Sequence, residues 1–159
     1  MSADLERALH RLVASVREDI AAHERIAEIL DRQESSVRRP SSDEFTRATA
    51  DLQAELGGAP ARTARRDRAL SGVAGVLGVP PFATTLGSVV LRAGDRGTAL
   101  AQDRERLREF ADEVDRRGRR VATLVRLHRQ VARDLLQVVL GQEDGEDVHA
   151  GGSLIDAEV

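Results

Sequence analysis

Apolar residues recur along the chain at helical spacing, in three long runs separated by breaks. In the first run, Leu9, Val16, His23, Leu30 and Val37 share one heptad position. Leu5, Leu12 and Ile26 fall three residues further on, and Val13, Ile20 and Ala27 one beyond that. About three positions in seven are apolar, the width of a core-facing helix. The pattern predicts a helix from residue 3 to about 37, stopped by Pro40.

The second run opens on Ser41-Ser42-Asp43-Glu44, which has the form of a capping box. Phe45, Ala48, Leu52 and Leu56 carry its stripe until Gly57-Gly58-Ala59-Pro60 intervenes. Proline removes an amide donor and clashes with the preceding turn, so a kink or short break is expected there. Helix then resumes through Leu70, Val73, Ala74 and Leu77.

The third run extends from about Thr98 to Leu140 and stops at Gly141. Leu100, Leu107, Val114, Val121, His128 and Leu135 share one core position; Phe110, Leu124, Val131 and Val138 share the next. Such a helix is roughly 65 Å long, more than a compact globule of this size would use. Arg117 falls on its stripe, which marks a thin or open place in the bundle.

Ala69 to Leu91 carries no charge in a chain that is 32% charged. A membrane span is a poor reading, because Pro80-Pro81 sits at the centre and Gly72, Gly75, Gly78 and Gly87 dilute the stretch. A phosphate cradle fails as well, since the chain has no lysine to reach a phosphate. The stretch reads as a joint. The second helix ends near Leu77 or Gly78, Pro80-Pro81 turns the chain, and Thr84 or Thr85 caps a short helix from Leu86 to about Leu91. Gly94 to Gly97 then leads into the last helix. A reversal without charge needs cover, so the short helix is expected to wrap one end of the bundle.

The predicted fold is therefore all-α: an elongated antiparallel bundle of three long helices with a short helix at the joint, over residues 1–140. Residues 141–159, acidic at first and then glycine-rich, read as a flexible tail.

Composition narrows the function. Aromatic residues are 2% of the chain, too few for a base-stacking platform, and the net charge is -3. Every basic residue is arginine. Arg62, Arg65, Arg66 and Arg68 form a local basic cluster, read as a solvated face; a hold on the acids Glu143 to Asp147 is a second use for it. No nucleic-acid partner and no membrane insertion are expected, although a helical nucleic-acid regulator acting through Arg62 to Arg68 is one alternative. No cysteine, no His-Glu-x-x-His and no phosphate loop is present, so neither an enzyme nor a cofactor is expected. His23 and His128 both lie on apolar stripes. Without a third ligand they read as hydrogen-bonded core or boundary histidines rather than a metal site. The charged N-terminus lacks the apolar block of a signal peptide, and a cytoplasmic location follows as the expectation.

The end of the last helix is the most informative segment. Leu127, Val131, Leu135, Leu136, Val138, Val139 and Leu140 crowd it with apolar side chains, with Leu136 and Leu140 read as lying off the core stripe. Either the bundle supplies a second cover, or one face is a strip for a partner helix with anchors at i, i+3, i+4 and i+7. A self-associating coiled coil is an alternative use of the same strip.

The order of these signals is familiar: Arg66 to Gly78, with Ala69-Leu70 and Val73-Ala74 before Leu77-Gly78; a proline turn; Thr85-Leu86-Gly87; then Leu127-His128-Arg129-Gln130-Val131 to Leu136 and Val139-Leu140-Gly141. Across nearly its whole length the chain resembles the FlgN-type flagellar export chaperones. The resemblance implies a small helical cytoplasmic protein. It implies binding of the C-terminal helical segments of hook-associated proteins (the hook–filament junction proteins) and their delivery to the flagellar type III export gate. Family members often carry a Tyr followed by Gly just after the last helix, in a segment implicated in docking to the gate. Val148-His149-Ala150-Gly151-Gly152 occupies that place here, so the resemblance makes His149 and Gly152 the candidate gate-docking residues.

Overall fold

The computed structural model describes residues 2–39 and 41–146 and contains no strand among them. Five α-helices follow in order: α1 Ser2–Arg38, α2 Ser42–Gly57, α3 Ala59–Leu77, α4 Leu86–Ala93 and α5 Thr98–Glu146. The predicted tail from 147 onward lies outside the described residues, while α5 itself continues past Gly141 to Glu146. The chain divides into two units, Met1–Val121 and Ala122–Val159.

In the first unit α2 and α3 form the second long run, broken where the sequence requires it. Pro60 lies in the first turn of α3 and has no N–H to continue the ladder. The Arg62 guanidinium covers the break, donating to the Glu55 carbonyl at 3.0 Å and pairing with the Glu55 carboxylate at 3.0 Å. The predicted capping box at Ser41 does not form: α2 begins at Ser42, but Ser41 makes no side-chain cap bond. Thr46 instead donates its hydroxyl to the Ser42 carbonyl at 2.8 Å.

Ion pairs fix the directions of the helices. Glu18 and Asp19 of α1 meet Arg65 and Arg66, whereas Arg25 and Arg32 further along meet Glu55 and Asp51. The partner numbers fall as α1 advances, so α2 and α3 run antiparallel to it. Along α5 the numbers rise together: Arg17 with Asp103, Glu24 with Arg106, Asp31 with Arg117, Glu34 with Arg120. This part of α5 is therefore parallel to α1, as an up-down-up bundle demands.

The core of this unit joins Leu9, Leu12, Val16 and Ile20 of α1 to Val73, Val89 and Leu100, with Leu107 and Phe110 of α5 packed against them. Leu12, Val16, Val73 and Val89 have no exposed surface. Further along α1, Ile26 and Leu30 are buried as the heptad stripe predicts, and Ile29, off that stripe, is buried as well. No buried side-chain nitrogen or oxygen among the described residues lacks a hydrogen-bond partner.

The uncharged joint is built largely as its residues dictate. Gly78 ends α3 in the left-handed conformation (φ 65°), with the Val79 amide bonded to the Ala74 carbonyl at 3.0 Å. Thr85 caps α4 through a reciprocal box with Ser88: the Ser88 amide donates to Thr85 Oγ1 at 3.1 Å, and the Thr85 amide to Ser88 Oγ at 2.9 Å. Thr84 is instead buried, its hydroxyl donating to the Pro80 carbonyl at 2.9 Å. The expected cover is incomplete, because Phe82 is 93% and Leu91 85% exposed. α4 has only one face on the core, through Val89, and Leu91 projects from another. No helix among the described residues is long and apolar enough to cross a membrane.

Candidate partner-binding surface

The second unit contributes the helical residues 122–146 of α5. At roughly 100° per residue, an α-helix sorts the side chains of this segment into two halves. Leu127, Val138, Val131, Leu124 and Leu135 fall in order across one side, followed by His128, Val139, Ala132, Val125 and Leu136. Together they occupy roughly half of the circumference. The other half holds Arg126, Arg129, Arg133, Gln130, Gln137, Thr123 and Asp134.

All seven residues singled out in the sequence lie in this helix and are exposed. Leu127, Leu135 and Val138 are each 61% exposed, and Val131, the least exposed, is 49% exposed. Leu136, Val139 and Leu140 are equally open. Their exposure answers the question that periodicity left: the segment is an uncovered apolar face. Helical geometry revises the assignment of Leu136 and agrees with that of Leu140. Leu136 belongs to the apolar half, at its edge beside Ala132 and Val125. Leu140 lies among the arginines of the polar half.

His128 corrects a sequence reading. It is exposed rather than a hydrogen-bonded core or boundary residue, and it stands at the middle of the apolar half between Leu124, Val131 and Leu135. Its stripe position is genuine, but the stripe has no cover there. His23 agrees with the expectation. It is half-buried, with Nδ1–H donating to the Asp19 carbonyl at 2.7 Å. His149 and Gly152 lie outside the described residues. No three His, Asp or Glu side chains among the described residues gather as a metal site would require.

The polar half has its own character. Arg126 donates to the Ala122 carbonyl and to Thr123 Oγ1, each at 3.3 Å, rather than to a carboxylate. Asp134 accepts from Gln130 Nε2 at 2.8 Å.

In the first unit several arginines form interhelical pairs. Arg65 and Arg66 engage Glu18 and Asp19 at 2.9 and 2.6 Å, and Arg62 engages Glu55. Three of the four residues of the basic cluster thus hold helices together and present no free patch. Arg68 donates to the Ala64 carbonyl at 3.1 Å. Arg117, on the stripe, spans the space between α5 and α1. It pairs with Glu113 and Asp31 and donates to the Ala27 carbonyl at 3.2 Å. The bond it donates to Glu113 holds its guanidinium above its usual range, and the bonds from Arg117 and Arg116 hold the Glu113 carboxyl below the usual carboxylate range. The Asp31 pair joins α5 to α1, and the Glu113 pairs lie within α5.

Comparison with known protein families, curated proteins and solved structures finds no match to this chain.

Proposed function

We propose that this chain is a non-enzymatic docking protein that masks an amphipathic helix of a client. In the finer form of the proposal it is a cytoplasmic flagellar export chaperone. Its clients are hook-associated proteins, whose C-terminal helical segments it keeps from assembling early and delivers to the type III export gate. One observation carries the docking reading: seven large apolar side chains of one helix, 127 to 140, stand open together, whereas exposed large apolar side chains elsewhere, Leu56, Phe82 and Leu91, are isolated in the sequence. The flagellar assignment draws on the resemblance in the order of motifs.

The mechanism is competitive burial. A client helix that lays its apolar stripe along Leu124 to Val139 removes its own assembly surface from other partners. Each large side chain so covered contributes about 1 kcal/mol or more of transfer free energy. Release needs only a site that offers the client a better arrangement. Self-association is the rival use of the same face.

The test is to mix the purified chain with C-terminal helical fragments of the hook-associated proteins of the same organism and to weigh the eluted species by light scattering. The expected result is a defined complex that Leu136→Asp or Val139→Asp abolishes while far-UV circular dichroism keeps its helical signal. A stable homodimer that ignores every fragment would refute the chaperone reading.

A further inference from the structure

The apolar face of residues 124–140 is bordered unequally. Along the edge that begins at Leu136 stand Arg129, Arg133 and Arg126, at spacings of three and four that stack them on one side of the helix. The opposite edge, beyond Leu127, carries Asp134. Residues 122–140 hold three arginines against one aspartate, a net charge of +2 within a chain of net charge -3. No carboxylate among the described residues pairs with Arg126, Arg129 or Arg133. In the first unit Arg17, Arg25, Arg65, Arg66, Arg106 and Arg117 each reach an acid on another helix, although others there, such as Arg68, do not.

We infer that the partner seated on this face is an amphipathic helix with a row of carboxylates along one edge, read by Arg129, Arg133 and Arg126. The inference rests on the docking reading and adds the chemistry of the occupant. Two observations favour it. The first is charge: a second copy of this segment would set its own arginines against these in a parallel pairing, whereas an acidic edge turns three unpaired guanidinium groups into ion pairs. The second is register. Val121, His128 and Leu135, with Leu124, Val131 and Val138, continue the heptad positions of Leu100, Leu107 and Phe110, which pack on the helical core of the first unit. The spacing is that of a helix packing on helices. The segment also has no aromatic residue of the kind that anchors interfacial helices in lipid.

The experiment uses the full chain and two synthetic amphipathic peptides with the same leucine face, one with glutamates along an edge and one with glutamines in their place. Binding is followed by titration calorimetry at low and high salt. The expected result is about ten-fold tighter binding of the glutamate peptide at low salt, with most of that advantage lost at about 0.5 M salt. Replacing Arg126, Arg129 and Arg133 together by Gln should erase the difference and leave the affinity for the glutamine peptide unchanged. Equal binding of the two peptides overturns the inference and leaves the docking reading standing, since apolar contact alone would then select the partner. If neither binds, both fall, and parallel measurements identify the occupant. Light scattering that shows a dimer assigns the face to a second copy. Binding to phosphatidylserine vesicles assigns it to a lipid surface. Peptide binding that appears only when Glu143, Asp144, Glu146 and Asp147 are made amides assigns the edge to the chain's own acids.

Discussion

Arg66 of α3 donates from Nη1 to Oδ2 of Asp19 on α1 at 2.6 Å, and the Asp19 side chain is only 7% exposed. A carboxylate so far out of water depends on its partner. Truncating the arginine leaves a buried charge whose desolvation nothing repays. Arg66→Ala should therefore lower stability by about 2 kcal/mol in urea unfolding followed by circular dichroism. The neighbouring pair, Arg65 with Glu18, is about half exposed on both sides. Arg65→Ala should cost less than about 0.5 kcal/mol. Equal losses would mean that Asp19 gains water or another donor once Arg66 is gone.

Gly97 is the tightest backbone position in the joint. A Cβ there would lie 3.0 Å from the Val90 carbonyl oxygen and 3.2 Å from the Ala93 methyl, and neither belongs to a flexible side chain. Gly97→Ala should push the start of α5 away from α4 and cost about 1–2 kcal/mol. Gly75→Ala is the control. Gly75 is in the last turn of α3 with no atom within 4 Å of the new methyl, and the change should stabilise the helix by about 0.5 kcal/mol. The pair is read from thermal midpoints measured side by side.

Most of the fold is legible in the heptad pattern, because helix existence follows from periodicity. Leu9, Val16 and Leu30 are buried where the spacing places them. Chain breaks are legible for a similar reason, since Pro60 and Gly78 act through their own backbones. Capping is less so. Ser41 and Glu44 have the right letters and form no box, whereas Thr85 with Ser88 forms one. A side-chain cap depends on the dihedrals of the entering chain, which pattern alone does not specify. The apolar strip at the end of α5 is legible in its composition, but its exposure is not. An apolar stripe records a wish to be buried and does not say whether this chain supplies the cover. The exposure of His128 is illegible for that reason, and so is the lack of an acid partner for the arginines beside the strip. The signal the sequence does carry is the run of Arg126, Arg129 and Arg133 with a single acid nearby.

Glu55 gives the first unit a predictable acid response. The hydrogen bond from Arg25 holds its carboxyl below the ordinary 4.5; burial opposes this, and the charges of Arg25 and Arg62 add to it. A group whose value is depressed on folding stabilises the folded state above its unfolded value, and that contribution is lost as the pH falls through the folded value. The loss begins near pH 4.5 and deepens below it. Arg25 is about half exposed, so solvent screening limits the pair to about 1 kcal/mol. Glu55→Gln should lower stability by about that amount at neutral pH and flatten the fall between about pH 5 and pH 3. Urea midpoints at a series of pH values would show it. A mutant curve parallel to the wild-type curve would mean that other carboxylates govern the acid limb.

The open strip and the closed core predict opposite responses to the same substitution. Leu12 has no exposed surface, and Leu12→Ala removes side-chain atoms that the core cannot fully replace, at a cost of about 3 kcal/mol. Leu135 is 61% exposed in a helix, where alanine is the better helix former. Leu135→Ala should leave the thermal midpoint unchanged within about 0.5 kcal/mol of equivalent stability. It should nevertheless weaken client binding about ten-fold, by removing one anchor of a helix-in-groove contact. A hydrophobic dye that fluoresces on apolar surfaces should bind the wild-type chain and lose signal in Leu127→Ala, Leu135→Ala and Leu136→Ala. If Leu135→Ala unfolds the chain as readily as Leu12→Ala, the strip is packed in the free protein and the docking face lies elsewhere. Phe82 and Leu91 would then be the first places to look, as the most exposed large apolar side chains outside α5.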